Sequence, residues 1–504
     1  MASRFIKSGI LLTLVGLTMR SAAMIFGAFI SRLVGAEGVG LYTLIMTVYS
    51  FAVTLATSGI SLTVTRLVAS AIGEGGEHRV GSVLRASFAY AFAFGLLATL
   101  GLFFGADMLG NMILSDPRTV SSLKLLSVSL LPISLSAVLS GYFIGVKRVA
   151  FNAVASVACQ MIKILLTVFL VSYLSKYGTV TAVIGICGCV TITEILGFLV
   201  ILFEFLYDRA KNGVKSRVKT NEAYSVCATA LPLAFSAYVR SLLLNVEHIL
   251  IPKKLRERGE SEGEAYAHYG TLHGMALPLV TYPMSPLSSF AGLLVPEFAE
   301  DMSAGRKERI SLVASRAMNA TLTYSIISAV FLAMFSEELG YILYKSYDAG
   351  YYISTLALVV PIMYLDHVTD SILKGIGEQV FSMWINITDS LLSVFLVWIL
   401  IPKLGIMGYA VVIMLMEAYN FALSFYRLKK RISFSVGYLS SGLVPLALSI
   451  FAGMITHTLF KFSGSTAQPL WLIIKMLFAL CTVVFLLAIG DFIKEKAKQK
   501  ASVI

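Results

Sequence analysis

Charge is what this sequence has least of. Only 13% of its 504 residues are Asp, Glu, Lys or Arg, where a water-soluble domain carries about 25%. That deficit excludes a soluble globular enzyme, a disordered chain or a nucleic-acid binder as the main reading. Cysteine is scarce as well, and Cys159, Cys187, Cys189, Cys227 and Cys481 all lie inside apolar runs, so no disulfide framework is implied. Cys187 and Cys189, two positions apart, would leave a helix on different faces and make a poor metal pair. No HExxH, GxSxG or P-loop occurs, and no loop is long enough to fold as a domain. The residues therefore give no sign of an enzyme, a resident metal or a cofactor. GAEGVG at Gly35–Gly40 is glycine-rich but sits on a turn between apolar runs, a weak phosphate loop.

Apolar length is what the sequence has in abundance: 57% of its residues are hydrophobic. A helix needs about 20 apolar residues to cross a bilayer, and the chain supplies fourteen such stretches between residues 6 and 492. This predicts an all-α polytopic membrane protein of about 14 transmembrane helices. Short loops on the side of the N-terminus, with both tails, hold 22 Lys and Arg, and the opposite loops hold nine. The positive-inside rule then puts both termini in the cytoplasm. The net charge of +12 is explained by topology and calls for no nucleic acid.

The halves repeat one plan, the best sequence pointer to a transporter. Leu130-Leu131-Pro132-Ile133 opens span 4 and Val359-Val360-Pro361-Ile362 opens span 10. Val-Phe-Leu-Val recurs at 168–171 and 394–397. The expected organisation is an N-lobe over 1–208 (spans 1–6), a cytoplasmic linker over 209–222, a C-lobe over 223–431 (spans 7–12), and spans 13–14 with a basic tail over 432–504. The two six-helix lobes are pseudo-symmetric, and the last two helices are an addition.

Charges within spans are costly and usually face a cavity or a partner. Arg32 and Arg66 lie near span ends, where they can snorkel. Arg20, Lys163 and Arg240 lie deep in spans 1, 5 and 7, and Arg20 and Arg240 open the two halves at matching depth. Glu194 and Glu417 also stand at matching places in the two halves, and Lys163 is answered by Asp389 with the sign reversed. These groups either pair internally or line a polar cavity, where arginine's planar fork suits phosphate. Asp366 and Asp370 share a helical face. They either hold a coupling cation (sodium or a proton), or Asp370 pairs with Lys374. Pro278, Pro283 and Pro286 predict a kinked span 8, Gly59 a flexible point before Arg66, and His273 either a satisfied polar residue or a ligand contact.

Ser31-Arg32-Leu33-Val34-Gly35-Ala36-Glu37-Gly38-Val39-Gly40-Leu41-Tyr42 resembles the first external turn of polysaccharide exporters of the stage V sporulation protein B type. Thr65-Arg66-Leu67-Val68-Ala69 and His273-Gly274-Met275-Ala276-Leu277-Pro278-Leu279, running on to Leu294-Val295-Pro296, carry the same resemblance. The superfamily also holds the lipid II flippases and the multidrug and toxin extrusion antiporters. The resemblance implies two lobes around a cavity that opens to either side in turn. It implies a bacterial cytoplasmic membrane location. The implied cargo is an undecaprenyl-diphosphate-linked sugar: lipid II or a related cell-wall, spore-envelope or polysaccharide precursor. Arg20 and Arg32 match two cavity arginines of the lipid II flippases in spacing. A third, between them, has no counterpart because Ile25–Phe26 is apolar, and the span-8 arginine is absent too. The candidate substrate-binding residues are Arg20, Arg32, Arg66, Arg240, Lys163 and His273, with Arg20 and Arg240 placed on the diphosphate. Glu194, Glu417, Asp366, Asp370, Asp389, Gly59, Pro278 and Pro283 are candidates for coupling or gating. The expected partners are the lipid-linked sugar diphosphate and membrane lipid, and a monomer suffices. Two alternatives stay open: a cation- or proton-coupled drug antiporter, and a non-transporting scaffold for envelope-synthesis enzymes.

Overall fold

All regular structure among the described residues is helical. The structure, a computed structural model, describes residues 2–57, 59–73, 77–146, 148–212, 222–460 and 469–501. α1 (Ala2–Thr57) runs through two expected spans and breaks at Gly35, whose φ of 71° and ψ of −179° only glycine adopts without strain. A second positive φ, 79° at Gly59, separates α1 from α2 (Ile60–Gly73). Then come α3 (Glu77–Met108), α4 (Thr119–Ser127), α5 (Leu130–Gly145), α6 (Val149–Leu174), α7 (Thr179–Asn212) and α8 (Ala223–Glu257). The expected kinked span is in four pieces: α9 (Glu262–Tyr269), a π-helical turn at Gly270–Ala276, α10 (Leu277–Thr281) and α11 (Met284–Ser303). Pro278 and Pro283 stand at these breaks because neither can donate a backbone hydrogen bond. The chain continues with α12 (Lys307–Met334), α13 (Ser336–Tyr344), α14 (Tyr347–Ala357), α15 (Val360–Gly375), α16 (Gln379–Leu404), α17 (Ile406–Arg431), α18 (Val444–Phe460) and α19 (Pro469–Ala501).

Among the described residues nine helices are long and apolar enough to cross a membrane. The number is eleven when the bent pairs α4–α5 (42°) and α14–α15 (58°) each count as one span. This is a multi-pass helical membrane protein. The count treats Ser21–Ile72 as one stretch, although Gly35 divides it. It leaves out α8, whose Arg240, Asn245, Glu247 and His248 lower its hydropathy. Within the described residues the fourteen expected stretches are mostly helical, with breaks that include 128–129, 282–283, 358–359 and 435–437.

The chain packs as two compact units, residues 1–32, 271–396 and 404–504 in the first, and 33–270 with 397–403 in the second. Their boundaries differ from the 208/223 division expected from sequence.

The internal repeat is visible in backbone detail, with one constant offset relating the two copies. Val146 N–H donates to Tyr142 O and Arg148 N–H to Phe143 O, and Ile376 to Ile372 and Glu378 to Leu373 do the same after α15. Gly145 lies against Val68 and the Thr65 carbonyl in the second unit; Gly375 lies against Phe298 and the Val295 carbonyl in the first. Every one of these pairs keeps the offset that takes Gly145 to Gly375. Small residues at such crossings let membrane helices approach closely, which is where their association energy arises. Each core follows the same rule, with Val68, Val138 and Tyr142 in one and Phe298, Val368 and Ile372 in the other. The charged latch after each helix is reversed in sign. Arg148 pairs with Asp208 at the end of α7, whereas Glu378 pairs with Arg427 (2.7 Å) and Arg431 at the end of α17.

Candidate substrate and ion sites

In the second unit, α5, α6 and α7 enclose a cavity of about 260 Å³. Ser136 and Ser140 come from α5, Cys159, Gln160 and Lys163 from α6, and Thr193, Glu194 and Gly197 from α7, over a floor of Phe198 and Ile201. Lys163 and Glu194 act on each other electrostatically. Their opposite charges lessen the cost of placing either one inside a membrane helix bundle.

The first unit carries the counterpart of this cavity in a different charge state. The offset that takes Gly145 to Gly375 places Asp366 where Ser136 stands and Asp370 where Ser140 stands. α6 and α16 begin at Val149 and Gln379 and end at Leu174 and Leu404, so the same offset governs them. Asp389 then falls on the cavity-lining Cys159, one helical turn from Lys163 and on the same face. α7 and α17 each follow a positive-φ glycine, Gly178 and Gly405, which sets Glu417 one turn from Glu194 on its face. The result is an acidic cluster. Asp366 feels Asp370 and Asp389 and lies near Ser424, and Glu417 feels Asp366 and Asp389. Asp370 is matched, to Lys374 at 2.5 Å and to Ser382. Asp366 Oδ1 is buried with no hydrogen-bond partner. Among the contacts described, carboxylates predominate in this cluster, with Lys374 the cation paired to it, a composition suited to holding a proton or a cation.

The predicted arginines part company. Arg32 donates from Nε to Leu343 O at 3.0 Å and also to Ile342 O. It thereby caps the free carbonyls at the end of α13, where a cation also complements the helix dipole. Arg66 on α2 and Arg240 on α8 are exposed. Among the described residues no hydrogen bond or ion pair engages Arg240. The side chain of Arg20 lies outside the described residues. His273 meets the Tyr409 hydroxyl at 3.4 Å. Gly59 packs against the Ala230 carbonyl, and Pro283 O accepts from Tyr324 Oη at 2.7 Å.

Sequence reasoning missed one charged assembly, at the loop end of the second unit. Arg118 bonds Asp116 (3.0 Å), Glu37 beside the Gly35 break (2.9 Å) and Glu262 at the start of α9 (3.2 Å). Arg256 donates to Leu114 O at 3.2 Å. Burial would push the Asp116 carboxyl up, but the bonds from Arg118 hold it below its ordinary value. Burial and the bond to Asp116 push Glu262 up. Asp116-Pro117-Arg118, a turn-forming triplet with both charges, was the available signal.

Known proteins share this architecture. A family model described as "Polysaccharide biosynthesis protein" matches residues 5–302, and one described as MatE matches 274–399. Stage V sporulation protein B of Bacillus subtilis (strain 168) is 26% identical over 416 residues, covering 81% of this chain and 80% of that protein. Lipid II flippase MurJ of the same organism is 22% identical over 408 residues, covering 76% of this chain and 75% of that protein. A solved structure of lipid II flippase MurJ, in an inward closed conformation, superposes with a TM-score of 0.71 at 16% identity and covers 96% of this chain and 100% of that one. An inward-facing multidrug resistance MATE family transporter of the MOP superfamily gives 0.68 at 16% identity, covering 83% of this chain and 98% of that one. At such identities the structural likeness speaks for the fold.

Proposed function

The chain belongs to the polysaccharide biosynthesis protein family, and from that premise we propose that it is a flippase. It moves an undecaprenyl-diphosphate-linked sugar across the bacterial cytoplasmic membrane by alternating access. The observation that carries this reading is Arg240. It is a guanidinium in a long helix of a membrane protein, exposed, with no carboxylate engaged among the described residues. A cation in such a place needs an anion, and a diphosphate offers the paired acceptors that a guanidinium fork fits. Arg20 is its sequence counterpart in the first half, and Arg66 is a further exposed guanidinium with no partner among the described residues. Arg32 already spends two donors on α13. The names of the relatives, a sporulation protein and a lipid II flippase, support a lipid-linked envelope precursor as cargo.

The carboxylate cluster of Asp366, Asp389 and Glu417 supports coupling to a proton or a monovalent cation. It equally favours a second reading, a drug antiporter. Transbilayer movement of a fluorescent undecaprenyl-diphosphate sugar in proteoliposomes tests both. Movement by the intact protein, lost in Arg20→Ala/Arg240→Ala, is the expected result. No movement under any imposed ion gradient, together with efflux of cationic dyes, would replace the flippase by the antiporter. Neither activity would leave a scaffold.

A further inference from the structure

The twin sites differ in charge. Both sit among the equivalent helices, α5–α7 in one unit and α15–α17 in the other, and both keep a glutamate on the third helix, Glu194 and Glu417. Around Glu417 the neighbours are acidic, Asp366 and Asp389. Around Glu194 the two α5 positions are serines, and α6 presents Lys163. We propose that Lys163 is a tethered counter-ion. Its ammonium fills, in the first repeat, the cation position that the second repeat leaves to an ion from solution.

The charges support this. Among the described residues, Glu194 interacts with Lys163 as its cationic neighbour, and Tyr49 and Cys159, which also interact with it, are neutral at physiological pH. Ser136, Ser140, Gln160 and Thr193 line the same cavity of about 260 Å³, and their neutral side-chain oxygens can accept hydrogen bonds from an ammonium. The tether makes the first repeat neutral without an ion. Of the two related sites, only the acidic one then responds to the ion gradient, and the chain couples to one cation rather than two. That consequence rests on the ion-coupled reading given above; the tether itself does not.

Chemical rescue tests it. Lys163→Ala removes the ammonium and opens room for a small amine, leaving Glu194 inside the bundle without its cation. The melting temperature in detergent is expected to fall and to recover with n-propylammonium, by at least about fivefold more than with the same concentration of n-propanol, because the ligand binds the folded state alone. In Lys163→Ala/Glu194→Gln both the loss and the rescue should shrink together. Equal recovery by amine and alcohol, or amine rescue that persists without Glu194, would overturn the proposal by showing that Lys163 merely fills space. If Lys163→Ala does not accumulate, Lys163→Met keeps the apolar stem, and adding Glu194→Gln should then restore stability. A double variant no more stable than Lys163→Met alone would overturn the proposal as well. If rescue holds while wild-type movement proves independent of cations, the coupling reading fails and the tether stands.

Discussion

Gly40→Ala should damage this protein although alanine is the better helix former. Gly40 lies in α1 just beyond the Gly35 break, where α1 crosses α9 with backbone against backbone. A Cβ on Gly40 would penetrate the Tyr266 carbonyl oxygen and lie 2.7 Å from its carbon. The facing Gly270 presses back on Ala36 and Gly40 in the same way. Carbon atoms prefer about 3.5–4.0 Å, so the helices must separate by about 1 Å, and no flexible side chain is there to yield. Overpacking costs about 1–3 kcal/mol, here at the upper end because backbone must move. The gain from replacing a helical glycine is about 1 kcal/mol. The net loss of about 2 kcal/mol corresponds to a melting temperature lower by about 4–8 °C for a unit of this size. Scanning fluorimetry in detergent measures it, with Gly101→Ala in α3 as control, since a Cβ there meets nothing within 4 Å. A Gly40→Ala protein melting at or above wild type, with the control also at or above it, would refute the close crossing.

Three further outcomes follow from the charges. Asp116→Asn should cost about 3 kcal/mol, because Asp116 is 1% exposed and Arg118 loses its principal partner. The same group sets an acid limit. Its carboxyl is held below the ordinary value, so its contribution is present at neutral pH and is lost as pH falls through that lowered value. Glu262, raised by burial and by Asp116, acts in the opposite sense, and its contribution grows as pH falls through its raised value. Melting temperature against pH should therefore rise on mild acidification and then drop, and Glu262→Gln should abolish the rise. In the latches, Arg148→Asp and Asp208→Arg should each lower the melting temperature, while the double swap recovers most of the loss. A double variant as poor as the singles would rule out the pairing. Finally, Asp366→Asn, which removes a charge from the unbalanced cluster, should weaken any cation or proton dependence of transport while leaving Gly40→Ala-type stability defects absent. Unaltered ion dependence would remove the cluster from coupling.

The helical membrane fold was legible because apolar length is a property of single segments. The repeat was legible through Leu-Leu-Pro-Ile and Val-Val-Pro-Ile, but only approximately. The register that pairs Glu194 with Glu417 and Lys163 with Asp389 in the sequence differs by a turn or less from the one set by helix ends and backbone bonds. Ser136/Asp366 and Ser140/Asp370 escaped notice because a repeat is read through like residues, and these positions are equivalent by backbone while opposite in chemistry. The Asp370–Lys374 pair was readable from its i,i+4 spacing. Arg32 capping α13, which lies in the other half of the sequence, was not, since no local pattern encodes which distant carbonyls lack donors. The Arg118 cluster was hidden for the same reason: its four members come from three separate connections.

The central claim is that Arg240 recognises a diphosphate during transbilayer movement. The most direct test compares undecaprenyl diphosphate and undecaprenyl monophosphate bearing the same fluorescent sugar, in proteoliposomes of wild type and Arg240→Ala. A charge-assisted contact contributes about 1.5–3 kcal/mol, so the wild type should move the diphosphate at least about tenfold faster, and Arg240→Ala should lose most of that preference. Equal movement of both lipids by the wild type, or an undiminished preference in Arg240→Ala, would contradict the account.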